Sequence, residues 1–151
     1  MKKAILTIGN TLRGDDGVTS YLGNLIEKEE DLDWKIFYGE DTPESEFHKI
    51  REYAPELIIV TDAITGMKIG RVEVIDISDD KDYLYSTHNL PAPILMSYLK
   101  GFCENVLFLG LTVDLENVLQ INDKISDEAR NTAKRALEKV IEINSIFECD
   151  N

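Results

Sequence analysis

The chain has 151 residues, 43% of them hydrophobic and 30% charged, which excludes a disordered chain and supplies enough apolar material for one globular domain over 1–151. Its formal net charge of −13, with 16 Lys and Arg scattered among 29 Asp and Glu, opposes nucleic acids and anionic membrane surfaces as partners. Cys103 and Cys149 sit in no Cys-x-x-Cys or Cys/His spacing, so zinc and dithiol chemistry are not indicated, and without a leader or a membrane-length apolar run we expect a soluble cytoplasmic protein.

Lys3 to Ile8 is an apolar run that predicts a buried first strand. It leads into Gly9-Asn10-Thr11-Leu12-Arg13-Gly14-Asp15-Asp16-Gly17, a glycine-rich acidic turn. Val18 to Lys28 carries Leu22, Leu25 and Ile26 on one side and predicts an amphipathic helix. Trp34 to Tyr38 predicts the second strand. Thr42-Pro43 reads as the N-cap and first position of a second helix, with Phe47 and Ile50 following and Pro55 closing it. Glu56 to Thr61 holds Leu57-Ile58-Ile59-Val60, a continuous apolar run suited to a strand covered on both faces, and it ends on Asp62.

Gly70 to Ile77 alternates apolar with polar residues, as a half-exposed edge strand does. A polar loop from Ser78 to Asp82 leads to Thr87-His88-Asn89-Leu90-Pro91. Pro91 and Pro93 then suit the start of a helix whose apolar face is Ile94, Leu95, Tyr98 and Leu99 and which Gly101 stops. Asn105 to Leu111 predicts the last core strand. Ser126 reads as the N-cap of a long final helix with Ala129, Ala133, Leu137, Val140, Ile141 and Asn144 at helical spacing. Strands alternating with helices predict an α/β fold, a three-layer α/β/α sandwich with a mostly parallel central sheet and one possible antiparallel edge strand.

In a parallel sheet the strand ends converge on one edge, so Asp16, after the first strand, and Asp62, closing the third, come within reach of each other. His88, in a loop before a helix, adds an imidazole. Two carboxylates and one imidazole suit a divalent transition metal better than calcium or magnesium. Structural alternatives stand beside each residue: Asp15 or Asp16 capping the helix that follows, Asp62 bonding a loop backbone, and His88 as a packed histidine. His48 reads as a surface or packing residue. No serine occupies a Gly-x-Ser-x-Gly elbow, Cys103 has no recognisable histidine partner, and the glycines match no phosphate-binding loop.

The Gly9 to Gly17 motif, taken with Pro43-Glu44, Ile58-Ile59-Val60-Thr61-Asp62-Ala63, Thr87-His88-Asn89-Leu90-Pro91 and Phe108-Leu109-Gly110-Leu111, resembles the hydrogenase maturation endopeptidases. That family trims the large subunit of nickel-iron hydrogenases, and the Thr87 to Pro91 segment is most similar to the branch serving formate-hydrogenlyase and energy-converting enzymes. The resemblance implies a phosphorylase/hydrolase-like fold and an endopeptidase whose partner is the precursor of a [NiFe] hydrogenase large subunit. It places Asp16, Asp62 and His88 at the catalytic and metal-contacting positions. The metal it implies is nickel that belongs to the substrate, inserted before a short C-terminal extension is removed. Gly9, Gly14 and Gly17 would then let the tail approach the backbone, and Asn10 and Asn89 would offer it amide contacts. The chain departs from the family at Thr19, where a glycine is usual, at Tyr38-Gly39-Glu40 and at Thr112-Val113, departures that bear on substrate choice.

Two other classes share parts of this pattern. A phosphoacceptor receiver domain also sets acids after its first and third strands around magnesium, but it needs a lysine at the end of a late strand, where this chain has Gly110-Leu111-Thr112. A non-catalytic chaperone that recognises a nickel-loaded subunit would keep the same ligands and lack turnover.

Overall fold

The computed structural model of the protein describes residues 1–77 and 90–149. Its strands are β1 (Lys3–Ile8), β2 (Trp34–Glu40), β3 (Leu57–Ile64), β4 (Val72–Ile75) and β5 (Asn105–Thr112). Its helices are α1 (Val18–Glu27), α2 (Phe47–Tyr53), α3 (Ala92–Lys100), the short α4 (Leu115–Val118) and α5 (Asp127–Cys149). The strands form one sheet in the order β2-β1-β3-β5-β4. Every neighbouring pair is parallel except β4 with β5, so the expected antiparallel edge is present and is β4.

The alternation of side chains along β1, β3 and β5 divides the core in two. Ile5, Ile59 and Leu109 face α1 and α5, packing with Leu22, Ile26, Ala133 and Val140. Ala4, Leu6, Ile58, Val60 and Phe108 face the other way, with Ile50 of α2 and Leu95 and Leu99 of α3. The sheet therefore has a helical layer on each side, which is why the Leu57 to Val60 run contains no polar residue. Each such fully buried Leu or Ile contributes about 1.5–3 kcal/mol.

Lys3 fixes the relation between the sheet and α5. Its amine is almost wholly buried, donates to Asn144 Oδ1 and Glu148 Oε1 at 2.6 Å each, and lies over the Trp34 ring. One cation thus ties the start of β1 to the last turns of α5.

Several expectations change. β3 does not end at Asp62 but runs on to Ile64, because Asp62 still pairs with Ile8 on one side and Gly110 on the other. Thr42 makes no side-chain cap, and Pro43 opens a 3-10 turn (Pro43–Glu46) rather than α2 itself. The expected apolar faces are narrower than their residue lists: Ile94, Tyr98 and Ile141 are exposed while Leu95, Leu99 and Val140 are buried. Short α4 was not anticipated. The expected polar loop at Ser78 to Asp82, and residues Thr87 to Asn89, lie outside the described residues.

Candidate active site

The register across the sheet sets Asp62 of β3 directly between Ile8 of β1 and Gly110 of β5. Its side chain is 5% exposed. Just past Ile8 the chain folds back over this row. Gly9 donates to Glu40 O at 3.0 Å, and the Asn10 N–H donates to Asp16 Oδ2 at 2.7 Å, so Asp16 is held against the end of β1, one strand from Asp62. Neighbouring strands lie about 4.8 Å apart. Asp16, 3% exposed, and Asp62 are therefore two buried carboxylates on one edge of the sheet.

The turn is built from its own residues. The Asn10 carboxamide accepts from Leu12 N at 2.8 Å and donates to Asp41 Oδ2 at 2.8 Å. Thr19 Oγ1, at one of the positions noted as departures from the family pattern, donates to Ile8 O at 2.8 Å and anchors α1 to β1. Gly9, at φ +153°, has no room for a side chain, since a Cβ would stand 2.0 Å from Asp16 O. That contact brings the Asp16 backbone down onto the strand end.

Asp15 and Asp16 divide their work, one turned toward α5 and the other toward the end of β1. Asp15, 2% exposed, points away toward α5. Its Oδ1 accepts from Ser126 N at 2.7 Å, and its Oδ2 accepts from Ser126 Oγ at 2.7 Å and Asn117 Nδ2 at 3.0 Å. Ser126 in turn accepts from Ala129 N at 3.1 Å as the expected N-cap of α5. Gly14, at φ +55°, completes the joint: its N–H donates to Asn122 O at 2.8 Å, and a Cβ there would lie 2.0 Å from Asn117 O. Gly17 packs on Thr11, with a would-be Cβ 3.2 Å from its Cα.

Of the sequence-derived candidates, Asp16 and Asp62 come to the same edge, with Gly9, Asn10, Gly14 and Gly17 forming the turn above it. His88 and Asn89 lie outside the described residues. Among the described residues, no group of three or more His, Cys, Asp or Glu side chains is placed to hold a metal ion. His48 is a surface residue of α2, 3.0 Å from Glu52. Cys103 is buried, its thiol donates to Asn105 O at 3.4 Å, and burial pushes its pKa up, which disfavours a nucleophilic thiolate. Sequence reasoning did not anticipate Asn117 or Asp41 as partners of the acidic turn. Only Ser126 carried a signal, as a helix N-cap.

No protein-family model matches the chain. The hydrogenase 3 maturation protease of Escherichia coli K12 is 31% identical to it over 117 residues, which span 76% of this chain and 75% of that protein. This chain belongs to the hydrogenase maturation endopeptidase family. It is a peptidase. Among solved structures, the [NiFe] hydrogenase maturation protease HycI of Thermococcus kodakarensis is 28% identical, with a TM-score of 0.76 over 94% of this chain and 91% of that one. An uncharacterized protein of Wolinella succinogenes is 46% identical, with a TM-score of 0.81 over 97% and 99%. The sheet order also separates this endopeptidase from a receiver domain: the flavodoxin-like order is 2-1-3-4-5 and parallel, whereas here β4 lies outside β5 and runs against it.

Proposed function

We propose that this endopeptidase removes the C-terminal extension from the nickel-loaded precursor of a [NiFe] hydrogenase large subunit. What carries the reading is the pair of buried carboxylates, Asp16 and Asp62, on one sheet edge of a chain 31% identical to a hydrogenase 3 maturation protease. In this reading Asp16, Asp62 and His88 contact nickel that arrives as part of the substrate. Mixed oxygen and nitrogen donors suit that ion. The protein needs no resident metal, and the precursor is engaged only once its nickel is in place.

Contact with the substrate ion holds the scissile peptide beside the edge, which converts an encounter into a positioned reaction. Water adds to the peptide carbonyl carbon, the C–N bond breaks, and the departing amine takes up the proton that the water gives up. The ion polarises the carbonyl, or a carboxylate accepts the water proton. The tail runs along the turn of Gly9, Gly14 and Gly17. Asn10 gives one amide proton to Asp41 and offers its second to the tail, with Asn89 as a further amide contact.

The experiment is direct. The protein is incubated with nickel-loaded and with metal-free precursor, and the mass of the large subunit is followed. Loss of the tail from the nickel-loaded form alone is the expected result, and an intact nickel-loaded precursor contradicts the reading.

A further inference from the structure

Among the described residues, the most exposed large apolar side chains are Ile121 at 95%, Leu119 at 65% and Leu12 at 60%. They are not scattered. The Asn122 N–H donates to Leu12 O at 2.9 Å and the Gly14 N–H donates to Asn122 O at 2.8 Å, so the segment that ends α4 runs against the acidic turn itself. Leu115, also exposed, lies one helical turn before Leu119, whose N–H donates to its carbonyl.

This platform is fastened from below. Asp15 binds Asn117 and Ser126, Gly14 packs on Asn117 O with no space for a side chain, and Val118 is buried in the core, so residues 115–122 are tied down while Leu115, Leu119 and Ile121 face water. Apolar surface held outward on a braced segment beside an active-site edge has the character of an interaction surface. Its surroundings select the partner. Asp41, Asp114, Glu116 and Asp123 flank it against Arg13 and Lys124, within a chain of net charge −13. A second copy of this chain would bring like charge to like charge, whereas a segment with apolar side chains among Lys or Arg would match both features.

We infer that Leu12, Leu115, Leu119 and Ile121 form a docking platform for a cationic, amphipathic segment of the precursor large subunit, outside the tail that is cut. The inference rests on the proposed reaction for the identity of the partner. Docking there delivers the tail to the edge that carries Asp16 and Asp62, so the platform governs capture rather than the chemical step.

The test compares wild type with a Leu119→Ser/Ile121→Ser variant and a Glu116→Gln/Asp123→Asn variant, using nickel-loaded precursor, steady-state tail release and calorimetric binding. The apolar variant is expected to keep its thermal midpoint and kcat while KM and Kd rise at least about tenfold, as for loss of interface anchors. Salt should weaken wild-type binding, and the neutralised variant should show less of that dependence. Unchanged Kd in both variants overturns the platform. So does a wild-type dimer that the apolar variant dissociates in sedimentation velocity, because a second copy is then the occupant. A wild type that binds the precursor and releases no tail contradicts the reaction, not the docking, which is still read from Kd; a wild type that does not bind contradicts the docking.

Discussion

Asp15 grips Ser126 twice, accepting from its backbone N–H and from its hydroxyl, each at 2.7 Å. The acidic turn after β1 and the start of α5 are thereby one joint, although the two residues are far apart in sequence. Replacing Asp15 by Ala leaves the donors of Ser126 and Asn117 without their acceptor and should destabilise the fold by about 3 kcal/mol. Asp15→Asn keeps one acceptor oxygen and should cost less. Urea unfolding measures both, and a wild-type midpoint for Asp15→Ala would show that the joint contributes nothing.

Glycine is required at position 14 for space as well as for conformation. The left-handed backbone at φ +55° costs a side chain about 1–2 kcal/mol, and a Cβ would in addition collide with Asn117 O at 2.0 Å. Gly14→Ala should therefore lower stability by more than about 2 kcal/mol. Gly66 is the control: it too has positive φ, at +87°, but nothing lies within 4 Å of a built Cβ. Gly66→Ala should cost only the conformational part, about 1–2 kcal/mol. Equal losses for the two variants would remove the steric argument.

The Lys3 and Glu148 pair predicts a pH-dependent contribution. The buried amine of Lys3 holds the Glu148 carboxyl below its ordinary 4.5. A depressed carboxylate stabilises the fold above the unfolded value, and that gain is lost as pH falls through the folded value. Glu148→Gln should thus melt lower than wild type at neutral pH, and the gap should close in acid, below pH 4.5. A gap that is constant with pH would mean the pair is silent.

Thiol reactivity distinguishes the two cysteines. Cys149 is exposed, whereas Cys103 is buried with its pKa raised by that burial. Iodoacetamide at neutral pH should label Cys149 alone in the native protein, with Cys103 following only in denaturant. Mass spectrometry of the labelled peptides reads the outcome. Rapid native labelling of Cys103 would contradict its placement.

The parts of the fold that declare themselves in the sequence are those where pattern and packing agree. The Leu57 to Val60 run needs cover on both faces and receives it, and the mixed apolar and polar stretch from Gly70 to Ile77 contains β4, which lies at the edge. What escaped is long-range. The run of apolar residues does not reveal that β3 continues beyond Asp62, because its extension depends on hydrogen bonds to β5. Nor does a pair of adjacent aspartates reveal which one serves structure. Asp15 and Asp16 differ in what the distant α4 to α5 segment offers, Ser126 and Asn117 to the first, and in the fold-back of Asn10 onto the second. The glycine pattern was visible, but Gly9 and Gly14 owe their smallness to the backbone oxygens of Asp16 and Asn117.

Asp16, Asp62 and His88 are proposed to act together on a substrate that carries its own nickel. The most direct measurement is kcat/KM for tail release from the nickel-loaded precursor by Asp16→Asn, Asp62→Asn and His88→Ala, each checked for a wild-type fold. That joint role predicts a loss of at least about a hundredfold for every one of the three, on the scale of removing a group that acts in the reaction. Folded variants that release the tail at the wild-type rate would contradict it.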